Sequence, residues 1–462
     1  MRDFRDFITE CEKNLPREFV RVTEEVDPRY EISAIVKRLD MMHKTPLLLF
    51  ENVKGFKTPV VINTDSSRTK LGLALRVAPA ELEEFYNGCE EEAMHRTAPP
   101  VKVVNASEAP CKEVVKTGKD INLFDFPFLT HHEDEVPYLT KALGIVMHEK
   151  AKCPHLGCYR LMVKGPDLGV THITPGRHLW DLWRDKYDKN LPLEIAFVLG
   201  VHPAWTLAAQ SRIGHPPSEF DVAAALLRES VPVVPCETID VLVPASAEIV
   251  IEGVILPNEL EDEGPWGDFT RYQQVDKRHG VKIKAITHRK NPIVHDMGIW
   301  VTAAPPFFVT IPMNAFMNRQ LKQAVPDVKE FQYGGSPMLG LIRIDKKHAG
   351  QPKQAILAAF GNDLYLKYVI CTDTDIDLQR GTDILWALFT RVQAERDIMV
   401  LPGVLGTDLD VSAPQESVLT KVGIDATAKP FRKDLPRAAR VPDEVVSGIK
   451  LEKFITDLQG CM

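Results

Sequence analysis

Apolar positions in the first third of the chain follow two periods in turn. After Asp27-Pro28, residues Ile32, Ile35, Val36 and Leu39 recur at i, i+3, i+4 and i+7, the stripe of an amphipathic helix capped at its start. The runs 46–50 and 59–62 are short, apolar and bounded by Pro, which predicts buried strands. Leu71, Leu73, Leu75 and Val77 alternate, predicting a half-buried strand with a short helix as the alternative. Residues 79–94, with Leu82, Phe85 and Tyr86, return to the helical period. Intermixed helix and strand signals predict an α/β domain over residues 1–118.

The pattern then changes. Residues 142–147, 160–163, 242–253 and 281–287 are apolar segments broken by Gly and Pro, predicting an antiparallel barrel or sandwich over 119–305. Alternation resumes over 306–440: strands at 341–344 and 368–371, a helix at 353–360 closed by Gly361, and a helix at 382–392. A helical tail over 441–462, centred on 451–458, is expected to pack on a neighbouring subunit.

At 462 residues, two or three domains are expected. Hydrophobic residues make up 44% and charged residues 26%, as in globular proteins, and the net charge of −8 argues against nucleic acid or an anionic membrane as partner. No uninterrupted apolar run approaches the ~20 residues a spanning helix needs. The start Met1-Arg-Asp-Phe-Arg-Asp6 lacks the apolar core of a signal peptide, and the eight Cys are scattered, so a reducing cytoplasm is expected.

Candidate chemistry concentrates in the middle third. In Glu263-Gly-Pro-Trp-Gly-Asp268 two carboxylates flank residues that favour a fixed turn over a central strand. Crowded carboxylates can separate in pKa, which is how proton transfer is arranged near neutral pH. Cys153, His155 and Cys158 have a C-x4-C spacing at the wide end for structural zinc sites, and no second Cys pair follows close by, which argues against zinc. His155 and Arg160 lie an odd number of positions apart, so a bend must precede Arg160 if both reach one pocket. Gly176 and Arg177, just ahead of a helix, could offer donors and charge to a phosphate. His215-Pro-Pro-Ser-Glu219 leads into a helix carrying Val222 and Leu226, where Glu219 also complements the helix dipole. Two His and one carboxylate from three loops suffice for a divalent ion.

Over nearly its whole length the chain resembles the UbiD-like decarboxylases, through segments 46–55, 155–160, 174–178, 243–253, 263–268, 369–377 and 421–427. The resemblance implies an N-terminal α/β domain, a central split β-barrel that binds flavin, and a C-terminal α/β domain that mediates oligomerisation. It implies reversible, non-oxidative decarboxylation of an aromatic, heteroaromatic or α,β-unsaturated acid with prenylated FMN. Loss of CO2 leaves a carbanion-like centre, and side chains alone supply no adequate electron sink, so a cofactor is expected on chemical grounds as well. By resemblance the catalytic residues are Arg160, Glu263 and Asp268: Asp268 donates and accepts the proton, and Arg160 pairs with Glu263 beside the flavin. His155, His178 and Glu219 would hold a divalent metal at the flavin phosphate, Mn2+ foremost and Mg2+ as the alternative, with K+ as a further ion. Cys158, Tyr159, Arg160, Arg177 and Lys367 would also line the cofactor. Two positions depart from many relatives: His155 stands where they carry Asn, and Asp268 where they carry Glu. The pocket wall is expected within 295–306, with Trp300 and Phe307 or Phe308 near an aromatic ring. Expected partners are a flavin prenyltransferase as cofactor supplier and further copies of the chain, as dimer or hexamer. The competing readings are a flavin reductase on a split barrel, a metal-dependent hydrolase or oxygenase using His155, His178 and Glu219, and a non-catalytic subunit.

Overall fold

The long strand Ile249–Gly267 and its antiparallel partner Gln273–His288 form the centre of a nine-stranded sheet. The computed structural model describes residues 2–298, 307–413, 417–429, 439 and 441–454. From one edge to the other the sheet runs Tyr138–Leu139, Leu161–Gly165, Leu168–Thr171, Gln273–His288, Ile249–Gly267, Leu193–Leu199, Leu143–His148 and Cys153–Cys158; Val114–Thr117 also pairs with Gln273–His288.

Connectivity forces this sheet to curl. Strands Cys153–Cys158 and Leu161–Gly165 are six positions apart in the order, about 29 Å in a flat sheet. Yet only Tyr159 and Arg160 join them, and three Cα–Cα steps reach at most ~11 Å. The two ends must therefore meet, giving the half-closed barrel expected from the sequence. Bulges at Glu252/Gly253, Ile255/Leu260 and Glu263/Trp266 supply the bends.

Both faces of the sheet are buried. Along Leu193–Leu199, Leu193, Ile195, Phe197 and Leu199 enter one apolar cluster, while Ala196 and Val198 enter another with helices Leu82–Met94 and Glu219–Leu227. Full burial of a side chain such as Phe197 contributes about 1.5–3 kcal/mol.

A four-stranded sheet of Phe19–Val22, Leu47–Phe50, Val60–Ile62 and Val294–His295 forms the N-terminal α/β layer. The five-stranded sheet Val328–Tyr333, Leu339–Ile344, Tyr368–Asp373, Val418–Asp425 and Ile398–Leu405 forms the C-terminal layer, with helix Gln351–Asn362 crossing between two parallel strands. Residues 1–427 form one unit. In the second unit, 428–462, helix Asp443–Gly448 and the turn Leu451–Lys453 are described, and the rest of the expected tail helix lies outside the described residues.

Four local expectations need correction. Leu71, Leu73 and Leu75 belong to helix Arg68–Leu75, started by the Ser67 hydroxyl on the Lys70 amide; Gly72 and its neighbours pack so tightly that Leu71, Ala74 and Leu75 are all buried. Helix Glu31–Met41 forms as predicted but begins after Tyr30 at φ +70° without a side-chain cap; Asp27 accepts instead from the Arg29 amide. Gly361 lies inside helix Gln351–Asn362 rather than closing it. Glu263 to Gly267 is the bulged end of the long strand rather than a free turn, because Gln273–His288 supplies ladder partners across it. Among the described residues no helix is long and apolar enough to cross a membrane.

Candidate active site

Arg160 sits in the short link where the ends of the curled sheet meet, which is the bend that the odd spacing from His155 demanded. Its Nε donates to Glu263 Oε1 at 2.5 Å and its Nη2 to Glu263 Oε2 at 2.7 Å, a bidentate pair. Burial works against the guanidinium charge, and Glu263 more than restores it, raising its proton affinity. The guanidinium also lies over the Trp266 ring, 4.9 Å from its centroid, and Tyr138 packs on Trp266 at 4.4 Å. Glu263 itself is buried and wholly engaged by Arg160.

Asp268 has a different environment. One oxygen, Oδ1, accepts from the Thr270 amide at 2.7 Å and the Thr270 hydroxyl at 2.5 Å; Oδ2 is buried without a partner among the described residues. Burial raises the carboxyl's pKa above the usual range, against the bonds from Thr270 and the charge of Arg160, and Asp408 adds to the rise. The strand end that carries Asp268 is anchored: the Gly267 amide donates to Glu135 Oε1 at 2.7 Å, and His132 holds the same oxygen through Nδ1 at 2.8 Å.

A metal-competent cluster lies on the other side of the Tyr159-Arg160 link. Donor atoms of His155, His178, His215 and Glu219 all lie within 4.8 Å of one another. His155 Nδ1 is 2.9 Å from Glu219 Oε1, and His215 Nε2 is 3.2 Å from Glu219 Oε2. Adjacent ligands of one small ion at about 2.1 Å stand about 3 Å apart, so three imidazoles and a carboxylate fit a single divalent ion. His155 Nε2 meets the Tyr159 hydroxyl at 2.9 Å, the kind of outer contact that fixes a ligating ring. Burial pushes the Glu219 carboxyl up, but His155 and His215 outweigh it and bring it down to about 2. Burial, then His155 and His215, lower His178.

Arg177 is the N-cap of helix His178–Tyr187, following Gly176 at φ +77°; its guanidinium lies 5.0 Å from the Tyr365 ring centroid and 3.8 Å from Asp363. The free amides of that helix start suit a phosphate. Tyr159 packs its ring against Gly144 and Gly157, where any Cβ would collide with it, and burial pushes the Cys158 thiol up to about 11. Lys367 is already engaged: its Nζ donates to Asp410 at 2.7 Å and also to Ser412. Of the expected pocket wall, His295 is bonded to Thr64 at 2.9 Å, and Phe308 lies beneath the Lys141 ammonium at 3.1 Å. Trp300 lies outside the described residues. Cys153 and Cys158 do not join the metal cluster.

Sequence reasoning passed over several residues of this region. His215 lies four positions before Glu219, in a loop that, like the one carrying Gly176 and Arg177, stands out in the sequence, so its signal was present. Tyr138, with a buried hydroxyl lacking a partner among the described residues, and Glu135 carried none.

Three family models match this chain: the N-terminal domain of 3-octaprenyl-4-hydroxybenzoate carboxy-lyase over residues 14–86, its Rift-related domain over 102–301 and its C-terminal domain over 307–426. The chain therefore belongs to the UbiD family of carboxy-lyases. It is 33% identical over 447 residues to anhydromevalonate phosphate decarboxylase of Methanosarcina mazei, covering 96% of this chain and 100% of that one. The UbiD-class enzyme HmfF of Pelotomaculum thermopropionicum, solved with FMN, superposes with a TM-score of 0.87 at 35% identity, over 98% of this chain and 100% of that one. An evolved dimeric form of HmfF with prFMN gives 0.84 at 33% identity, over 98% and 100%.

Proposed function

We propose that this enzyme reversibly decarboxylates an aromatic, heteroaromatic or α,β-unsaturated carboxylic acid with prenylated FMN, using Asp268 as the proton donor and acceptor. The observation that carries this reading is the unequal state of two nearby acids: Glu263 is spent on Arg160, whereas Asp268 keeps one buried oxygen without a partner among the described residues and its pKa raised. When bound, the flavin supplies the electron sink that CO2 loss requires. Arg160 holds positive charge beside the substrate carboxylate, oriented by Glu263 and Trp266. As the C–C bond breaks and CO2 leaves, the proton on Asp268 passes to the carbon that lost it; carboxylation runs the same transfer backwards, with no net oxidation.

His155, His178 and Glu219, joined by His215, would hold the divalent ion at the flavin phosphate. An imidazole-rich set suits Mn2+ better than Mg2+, which prefers oxygen donors and retained water. Arg177 and the amides of helix His178–Tyr187 would receive the phosphate. Lys367 would take part only after exchanging its bond to Asp410. The exposed Leu385, Trp386 and Phe389 of helix Gly381–Arg391 support self-association into a homo-oligomer. A flavin reductase or a metal-dependent hydrolase would leave the Arg160–Glu263 pair and the raised acid at Asp268 without a task.

The test is Asp268→Asn in protein co-produced with a flavin prenyltransferase. The variant is expected to keep its flavin, read by absorption spectrum and cofactor mass, and to lose CO2 release and solvent-deuterium exchange into product. The panel should include phenolic, heteroaromatic, acrylic and phosphorylated unsaturated acids. Turnover retained by the variant removes Asp268 from the role, and an active wild type without prenylated flavin sinks the proposal.

A further inference from the structure

The loop after strand Ile398–Leu405 carries Thr407, Asp408, Leu409 and Asp410, all buried or nearly so. It reaches from the C-terminal sheet onto the barrel. Asp408 Oδ2 accepts from His172 Nε2 at 2.9 Å and lies 3.2 Å from Arg278 Nη2. The next carbonyl, of Leu409, accepts from Gln274 Nε2 at 3.2 Å. Gln274 is the cross-strand partner of Trp266, two residues before Asp268, and its own carbonyl occupies the space a Cβ on Gly264 would need. The loop is thus pinned to the strand that backs the catalytic acid. Asp408 Oδ1, like Asp268 Oδ2, is buried without a partner among the described residues.

Among the described residues, several further charges face these two acids. Facing Asp268 are Arg160, itself neutralised by Glu263, and the Glu135–His132 pair that holds Gly267. Facing Asp408 are His172, Arg278, which also pairs with Asp276 at 3.0 Å, and His279 beside His172. Burial lowers the proton affinity of His172 despite Asp408, so the ring donates its Nε2–H as a neutral group. One cation therefore faces two carboxylates at Arg278, and the charge of Asp408 adds to the rise at Asp268 that burial begins.

We propose that Asp408 is a positioning residue for the proton transfer: held by His172 and Arg278, its carboxylate adds to burial in favouring the neutral acid at Asp268 while this loop is docked on the barrel. A chain whose C-terminal layer lifted away would keep Arg160 and Glu263 together but lose this charge. The inference rests on the reading of Asp268 as the acid, and its test does not depend on turnover.

The measurement is a pH-titrated infrared difference spectrum of the full chain, following the protonated-carboxyl band that Asp268→Asn abolishes. In Asp408→Asn the band is expected to disappear at lower pH than in wild type, and Asp408→Glu, which keeps the charge, should restore it. A purely structural Asp408 would alter unfolding but leave the band's titration unmoved, and that result overturns the proposal. Arg278→Gln removes the neutralising cation and should move the titration to higher pH; no movement, or movement the other way, overturns the proposal even if Asp408→Asn does not fold. Should Asp268→Asn retain turnover while these shifts occur, the acid assignment fails and the electrostatic coupling stands.

Discussion

Gly267→Ala tests how rigidly the strand end must present Asp268. Gly267 lacks the positive φ that would by itself demand glycine, so the limit is space. A Cβ there would lie 2.8 Å from His132 Nδ1, 2.9 Å from Cε1 and 3.2 Å from Cγ. The ring is not free to swing, because Nδ1 is bonded to Glu135 Oε1 at 2.8 Å, and the same oxygen accepts the Gly267 amide at 2.7 Å. Either the ring leaves Glu135 or the strand end leaves it. Overpacking of this kind costs about 1–3 kcal/mol, and a buried carboxylate losing a partner lies in the same range. A displacement of Asp268 by about 1 Å also costs up to ~100-fold in rate. Urea unfolding followed by tryptophan fluorescence should show the lower midpoint, and CO2 release the lower kcat. His132→Ala makes room, so the double variant should be more stable than the sum of the two losses predicts, with a coupling of at least ~1 kcal/mol. A Gly267→Ala protein within about 0.5 kcal/mol of wild type, the ordinary surface range, with strictly additive losses in the double variant, would refute the reasoning.

Three further outcomes are expected. Glu263→Gln leaves the Arg160 guanidinium with a donor facing a donor, and should lower stability by about 3 kcal/mol, partly recovered when Arg160→Met removes the stranded charge; denaturant titration reads both, and a loss below about 1 kcal/mol would contradict a buried bidentate pair. His215→Ala should lower bound metal, counted by elemental mass spectrometry, together with bound flavin; undiminished metal would exclude His215 as a ligand. Burial takes His202 down to about 3, so between there and its ordinary value near 6.5 the unfolded chain binds a proton that the folded chain does not. Stability is therefore present above about pH 6.5 and falls on acidification by about 1.4 kcal/mol per pH unit from this residue. His202→Asn retains an acceptor for the Ala204 amide and should flatten that slope by one proton, whereas equal slopes in the two proteins would disprove the assignment.

What the sequence made legible was local, and what it hid was set by closure. Ile32 and Val36 revealed their helix because the stripe that packs inward is written within one turn. The runs 46–50 and 59–62 were equally plain, since Leu48, Phe50, Val60 and Ile62 enter one apolar cluster. Leu71, Leu73 and Leu75 misled because a helix buried on several sides loses its stripe, and a period of two then appears by accident. Glu263-Gly-Pro-Trp-Gly-Asp268 read as a turn because Gly and Pro are poor central-strand residues; a bulge opposite Asp276 to Gln273 accommodates them at a strand end.

The site followed the same division. Glu263, Asp268, His155 and Glu219 stood out in the sequence as candidate acids and ligands, the roles of Arg160, Glu263, Asp268, His155, His178 and Glu219 came through family resemblance, and a clue to their geometry lay in the odd spacing of His155 and Arg160. That clue was informative for a physical reason. A two-residue link across six strand positions closes the sheet, and the closure brings Arg160 against Glu263, 103 residues later in the chain. Asp408 lies 236 residues from His172 and comes from another sheet, so no local spacing could announce it. The residues that determine how an acid holds its proton are thus the ones least visible in sequence. They act through field and burial, which depend on where the chain returns, while a ligand set or an ion pair depends first on which side chains are present. A substitution at Asp408 or Gly267 should therefore alter the chemistry of this enzyme as surely as one in the motif that first drew notice, although neither residue need touch the reacting atoms.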